Sequence, residues 1–280
     1  MAKIIPYFQL YPNLRYATLA LLLISLCAAL LGVTLVLKHF SMIGDGLSHV
    51  TFGAAAVATA TGLTTPIYIS LPITVVAAVL LLKIRSNTKI HGDAAIAMVS
   101  AGSLAFGYLI MNLFPGKSSS ISGDACTNLF GQGILGINKQ DVAVCAVLSA
   151  TVLFVFIFFY NKIFAITFDE SFSRATGIST ELYNTLIAII TGVIIVVSMN
   201  MVGALLISAL ITFPTLSAMR IFKTFKSVTI CAAITSIVCT FIGVLFSLAA
   251  KTPVGSTIVV ADVVVFGIFS LVGAILKRNS

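Results

Sequence analysis

Long apolar runs, separated by short polar segments, make up most of this chain of 280 residues. A helix that crosses a membrane needs about 20 predominantly apolar residues. Windows of that length identify nine candidate spans, near residues 15–37, 44–63, 66–83, 94–114, 141–161, 183–199, 201–219, 226–249 and 254–276. The runs are continuous rather than alternately apolar and polar, which argues against a transmembrane β-barrel. We therefore predict an all-α, polytopic transmembrane helical bundle.

The number of spans is eight or nine, because only Asn200 separates the sixth run from the seventh. Those two runs could form a tight hairpin or one broken element. The whole chain, residues 1–280, is predicted to be a single transmembrane domain. Two connections are long enough to have a role of their own: a Gly- and Ser-rich loop at about 115–140 and a polar segment at about 165–180.

Composition agrees with this interpretation, since 59% of the residues are hydrophobic and only 9% are charged. A soluble domain is about half apolar and about a quarter charged. The net charge of +8 does not indicate a nucleic-acid partner, because the basic residues follow the loops of a membrane protein.

The basic residues divide unequally between the two sides of the predicted bundle. With 83–89, 220–226 and the C-terminus in the cytoplasm, eleven lie inside and five outside, as the positive-inside rule requires. The inside set is Lys38, Lys83, Arg85, Lys89, Lys162, Arg174, Arg220, Lys223, Lys226, Lys277 and Arg278, and the outside set is Lys3, Arg15, Lys117, Lys139 and Lys251.

Asp45 and His49 are the most informative polar residues, because they lie four residues apart at the start of the second span. Residues i and i+4 share one face of a helix, so the two side chains should point in the same direction. A carboxylate and an imidazole are ligands for Zn²⁺ or Mn²⁺, but one of each does not complete a coordination shell. A homodimer with this helix at its axis would supply two of each. Alternatively, Asp45 caps the helix and His49 bonds to a neighbouring helix.

Three further residues are candidates for a transport pathway. Asp262 is an acid midway along the last span, and acids within a membrane are functional candidates. Asn200 and Pro214 bracket a segment that is rich in small and polar residues, which is typical of helices that line pathways or rock. Helix packing explains the segment with Asn200 and Pro214 equally well. Asp262 could instead simply bond to a backbone or hydroxyl group across the bundle.

The chain has no nucleotide-binding motif of its own. Gly116-Lys117-Ser118 is similar to the end of a P-loop, but it lacks the upstream glycine and a preceding strand. Any energy source must therefore be another chain or an ion gradient.

Four blocks, which occur in order along nearly the whole chain, resemble one family. They are Ser41-Met42-Ile43-Gly44-Asp45-Gly46-Leu47-Ser48-His49, the segment Phe168-Asp169-Glu170 to Gly177, the helix Val202-Gly203-Ala204-Leu205-Leu206 to Pro214, and Thr252-Pro253-Val254-Gly255. On these residues the chain resembles the membrane permeases of ABC importers for zinc, manganese and iron. One departure is Gly46, where the family usually has Ala, and we expect it to loosen the helix start.

The resemblance implies a type II-like importer permease in a prokaryotic plasma or inner membrane, multi-pass, with a cytoplasmic C-terminus. It implies a second copy of the chain, two cytoplasmic ATPase subunits and an extracellular metal-binding protein as partners. Asp45 and His49 would then be pathway ligands, and the permease itself would be no enzyme and hold no permanent cofactor. The residues expected to couple the permease to the ATPase are Phe168, Asp169, Glu170, Arg174 and Gly177.

The predicted function is ATP-driven import of a divalent metal, with zinc first and manganese next. The Ser-rich loop and the run Leu47-Ser48-His49-Val50 are most similar to zinc members. The alternative is an ion-gradient-driven metal transporter without an ATPase, which would need more intramembrane carboxylates than Asp45 and Asp262. A membrane-embedded metalloenzyme is disfavoured, since the three histidines are dispersed.

Overall fold

The computed structural model describes residues 12–62, 66–84, 92–114 and 138–278, and every regular element among them is an α-helix. The helices are α1 (Pro12–Leu37), α2 (Ile43–Ala60), α3 (Ile67–Ile84), α4 (Gly92–Leu113), α5 (Lys139–Phe158), α6 (Tyr160–Phe168), α7 (Glu170–Ala175), α8 (Thr180–Val202), α9 (Ala204–Ile221), α10 (Phe225–Ala250) and α11 (Val254–Arg278). Most of the predicted loop at 115–140 and the residue His91 lie outside the described residues.

The prediction of an all-α transmembrane bundle is confirmed. Nine of the described helices are long and match the nine apolar runs, while α6 and α7 are short. Seven of the nine are both long and apolar enough to cross a membrane. The other two are α2, which carries polar residues, and α3, whose apolar part is shorter. The two runs beside Asn200 are separate helices, and they meet at Gly203, whose φ of 85° suits a residue without a Cβ atom.

Helix α1 lies at the centre of the bundle, with 78% of its apolar window buried. It packs against α5, α9 and α10, while α2 packs against α3, α4 and α9. Helix α8 lies on α3, and α11 lies on α9 and α10. The apolar windows of α4 and α11 are only 17% and 11% buried, so these helices present apolar faces outward. In a membrane such faces contact lipid or another subunit.

The close approach of α1 to α9 depends on Gly32. A Cβ atom at this position would overlap the carbonyl oxygen of Ile211 and would lie 2.9 Å from Thr215 Oγ1. Small residues allow backbones to approach in this way, and van der Waals packing then holds the helices together.

Contacts between helix ends involve several of the predicted cytoplasmic cations. Lys83 at the end of α3 forms an ion pair with Glu181 at the start of α8, with Nζ 3.3 Å from Oε1. Lys162 Nζ lies 5.4 Å from the ring centre of Tyr183, two residues after Glu181 in α8. Gly273, near the end of α11, lies against Arg220 at the end of α9. The assignment of these ends to the cytoplasm stays a prediction.

Replacement of Gly32 tests the contact between α1 and α9. Gly32→Ala should destabilise the bundle by about 1–3 kcal/mol, because the carbonyl of Ile211 belongs to a helix backbone and cannot move alone. The control is Gly102→Ala in α4, where a Cβ atom meets nothing within 4 Å and alanine is the better helix former. Thermal unfolding in detergent measures both. Equal melting temperatures for the two variants would contradict the close approach.

Candidate functional site

The side chains of Asp45 and His49 meet on one face of α2, as their spacing predicts. His49 Nε2 lies 3.5 Å from Asp45 Oδ1, and the two side chains keep 21% and 33% of their area exposed, respectively. They are the only ionisable side chains of α2, most of whose residues are buried. The pair therefore presents one nitrogen and carboxylate oxygens at the open edge of a packed helix.

The structure bears on one alternative for Asp45, the capping of the helix start. Helix α2 begins at Ile43 after Met42, and Asp45 lies in its first turn rather than at the capping position. The N–H of Gly46 donates to the carbonyl of Met42 in the ordinary helical pattern. A carboxylate in the first turn is favoured by the helix dipole. Asp45 thus has no capping role, and its carboxylate faces His49.

Neighbouring helices fix the start of α2 on two sides. A Cβ atom at Gly44 would lie 3.1 Å from the Cα atom of Ser208 in α9. A Cβ atom at Gly46 would overlap the side chain of Ile96 in α4. Gly46 therefore permits a tight contact with α4, so the expected loosening at this position is not what the packing shows. The close approach of both neighbours holds the Asp45 and His49 edge in place.

Two ligand-type side chains are too few to hold a metal ion alone. Within the described residues, no group of three or more His, Cys, Asp or Glu side chains is arranged to bind one. Among the described residues, Asp45 and His49 thus supply two of the four ligands of a four-coordinate site.

Asp262 lies in a different part of the bundle. It is 1% exposed in α11, and the Cys239 thiol of α10 is its polar neighbour. Neither carboxylate oxygen accepts a hydrogen bond from the described part of the chain. Asp262 belongs to α11, which packs on α9 and α10, whereas α2 packs on α3, α4 and α9. The structure therefore does not bring Asp262 next to the Asp45 and His49 pair.

Asn200 and Pro214 are likewise separate from that pair. The Asn200 amide donates to the carbonyl of Val196 on its own helix, at 2.9 Å. Pro214 is buried within α9, and the helix continues past it to Ile221. Ser208 and Ile211 of this segment lie against Gly44, the residue before Asp45. Sequence reasoning did not single out Ser208, because small residues recur throughout the segment.

The polar segment at 165–180 folds as two short helices with an exposed junction. Asp169 lies between α6 and α7, and its Oδ1 accepts from the N–H of Phe172 at 2.8 Å, which caps α7. Gly177, with φ 85°, ends the segment, as the sequence predicted. Phe168 and Phe172 are 59% and 64% exposed. Two exposed aromatic rings beside charged groups are typical of a surface that contacts another protein.

A chain of polar contacts connects α7 to the helix before the Asp45 and His49 pair. Asn184 Nδ2 donates to Glu170 Oε1 at 3.1 Å, and Arg174 lies 3.9 Å from the same oxygen. On its other side, Asn184 Oδ1 accepts from the Nζ of Lys38 at the end of α1. Sequence reasoning missed Lys38 and Asn184. The one signal in the sequence was the position of Asn184, whose polar amide lies about one turn into an otherwise apolar helix.

The family model of the ABC 3 transport family matches residues 10–273. The chain belongs to the ABC 3 transport family. It is therefore the membrane permease of an ABC transporter and no enzyme, and ATP hydrolysis resides on a separate chain.

Several relatives of this permease carry the names of metal transport proteins. A probable iron transport system membrane protein of Haemophilus influenzae is 30% identical over 90% of this chain and 88% of its own length. The zinc uptake protein ZnuB of the same organism is 27% identical, over 89% of this chain and 94% of its own. The manganese import permease ScaB of Streptococcus parasanguinis is 24% identical, over 100% of this chain and 97% of its own length.

The fold of the permease is also that of a solved structure. PsaBC from Streptococcus pneumoniae in complex with Fab aligns with a TM-score of 0.80 over 96% of this chain and 94% of that chain. Because the sequence identity is only 24%, this similarity establishes a shared fold alone.

Replacement of Asp262 tests whether its carboxylate has a structural partner. Asp262→Asn keeps the size of the side chain and loses no accepted hydrogen bond, so the melting temperature should stay constant or rise. By contrast, Asp169→Ala removes the cap of α7 and should cost about 1 kcal/mol. Thermal unfolding of both variants gives the comparison. A marked fall for Asp262→Asn would reveal a partner beyond the described contacts.

Proposed function

We propose that this permease imports a divalent transition metal ion through Asp45 and His49. The observation that supports this most directly is the 3.5 Å approach of an imidazole nitrogen to a carboxylate oxygen at the open edge of a buried helix. Charged side chains within membrane segments usually line a pathway for ions or protons. The names of the relatives, which include iron, zinc and manganese, point to metal ions as the cargo.

A second copy of the chain completes the ion site in this proposal. Two permeases related by a two-fold axis place two carboxylates and two imidazoles around one position. Four such ligands satisfy tetrahedral Zn²⁺ and suit Mn²⁺ with added water. Because each copy holds only half of the ligands, a change in the relative position of the two copies can open or close the site.

The ATPase subunits bind at α6 and α7. Phe168 and Phe172 supply exposed apolar area there, and Glu170 and Arg174 supply charges next to it. This end of the bundle, which carries Lys38, Lys83 and Arg174, lies in the cytoplasm together with the C-terminus. An extracellular binding protein delivers the ion at the opposite end, near the loop at 115–140.

Zinc is the first candidate for the cargo and manganese the second. An imidazole nitrogen is a better ligand for zinc than for manganese, which prefers carboxylate oxygen and water. Competition among Zn²⁺, Mn²⁺ and Fe²⁺ for uptake by the complex with its binding protein ranks the three metals directly.

Removing either ligand should stop import. Asp45→Ala and His49→Ala should each abolish metal uptake, because each substitution removes two of the four ligands in the dimer. Uptake of radiolabelled Zn²⁺ and Mn²⁺ into cells or proteoliposomes measures the effect, and size-exclusion chromatography checks assembly. The matched control is Asp93→Ala, which removes an exposed carboxylate from the first turn of α4. Normal uptake in both ligand variants would exclude these residues from the pathway.

The energy source separates an ABC importer from an ion-gradient-driven transporter. Affinity purification of the permease should recover an ATPase subunit, and uptake into proteoliposomes should require ATP inside or outside according to the orientation of that subunit. Dissipation of proton and sodium gradients should leave uptake intact. Uptake that continues without ATP and stops on loss of the gradients would favour the alternative.

A further inference from the structure

The side chain of Asn184 joins two parts of the molecule that have different roles. Its amide oxygen accepts from Lys38 at the end of α1, and its amide nitrogen donates to Glu170 in the first turn of α7. An asparagine side chain has one acceptor group and one donor group, and both are used here. Glu170 also faces Arg174 one turn along α7. The contacts therefore run from α7 through α8 to α1 without a break.

Lys38 is fixed in this arrangement by its burial. It is only 5% exposed, whereas lysine is almost never buried unless it is paired. A buried ammonium group that loses an acceptor is disfavoured, so a shift of the Asn184 amide acts on the position of Lys38. The ion pair of Lys83 with Glu181 lies at the same end of the bundle, but its side chains are 65% and 72% exposed. An exposed pair of that kind contributes little.

A well-ordered turn connects Lys38 to the pair in α2. His39 adopts a left-handed conformation with φ 60°, its N–H donates to Val36, and the N–H of Phe40 donates to Leu35. These bonds form a Schellman cap at the end of α1. Phe40 is 1% exposed and lies against Gly92 of α4, and the N–H of Ile43 donates back to Phe40. These hydrogen bonds and the packing of Phe40 constrain the turn, so a shift of Lys38 moves the start of α2.

We propose that Asn184 is a positioning residue that links the movement of α7 to the placement of Asp45 and His49. This inference rests on the proposed function, in which α7 contacts the ATPase and the pair in α2 holds the ion. When the ATPase moves α7, Glu170 displaces the amide of Asn184, and Lys38 follows with the turn and the first residues of α2. The position of the ligands thereby depends on the state of the ATPase.

The test separates the link from a contribution to folding. Asn184→Leu removes both hydrogen bonds but leaves the Lys38 ammonium buried without its acceptor, which by itself could lower stability. The double variant Lys38→Met with Asn184→Leu removes both polar groups and keeps the apolar stems, so the fold should be retained. The control is Lys83→Ala with Glu181→Ala, which removes the exposed pair at the same end.

The experiment uses the permease and ATPase complex in proteoliposomes with its binding protein, and it measures radiolabelled Zn²⁺ or Mn²⁺ imported per ATP hydrolysed. Coupling between two sites typically changes the affinity at one site by about fivefold or more when the other site is occupied. We therefore expect the ratio to fall about fivefold or more in the double variant, with the melting temperature near that of the wild type. The control should keep the wild-type ratio. The variant Asn184→Gln, which retains both polar groups on a longer side chain, should recover part of the ratio.

Each other result has a distinct meaning. A stable double variant with a wild-type ratio of ions to ATP would overturn the role of Asn184 and leave the proposed function intact. A double variant whose melting temperature falls as far as that of Asn184→Leu, and in which uptake and hydrolysis fall together, would assign Asn184 a structural role only. Absence of ATP-dependent metal uptake in the wild-type complex would instead overturn the proposed function.

Discussion

Most polar groups inside this apolar bundle have a hydrogen-bond partner, and this constraint organises the described part of the molecule. Burial of an unpaired polar group costs several times the net gain of a hydrogen bond. Most hydroxyl groups solve the problem locally, as Thr191 and Thr215 do by donating to the carbonyl four residues earlier. Such bonds stay within one helix and connect nothing. The few polar groups that bond between helices are therefore the ones that can transmit a change, and Lys38 with Asn184 is the clearest example.

Much of the fold follows from hydrophobic length alone, because a membrane leaves few alternatives to a helix. The nine apolar runs correspond to nine long helices among the described residues, and the Asp45 and His49 pair lies on one face as the spacing predicts. The end of α7 at Gly177 is equally local in origin, since a glycine in the left-handed conformation closes a helix. These features depend on residues that are close together in the chain.

What the sequence does not contain is the contact between distant residues. Lys38 and Asn184 are separated by 146 positions, and nothing in either local pattern indicates that they meet. The break between α8 and α9 lies at Gly203 rather than at the more polar Asn200, because backbone geometry rather than polarity decides where a helix can turn. The role of Gly46 could not be predicted from its neighbours in sequence either, because the absence of a Cβ atom matters there only through the contact with Ile96 of α4.

The two acids of the bundle differ in a way that bears on their roles. Asp45 keeps 33% of its side chain exposed, so an ion can reach it without a change in helix packing. Asp262 is enclosed between α10 and α11, where a Cβ atom at Gly243 would lie 2.8 Å from the Cα atom of Ile258. Asp262 is thus much less accessible than Asp45, and separation of α10 and α11 would lose the dispersion contacts of that close approach. A group that exchanges its partner in every transport cycle has to be open on one side. The greater exposure of Asp45 supports the proposal that Asp45 and His49, rather than Asp262, hold the ion.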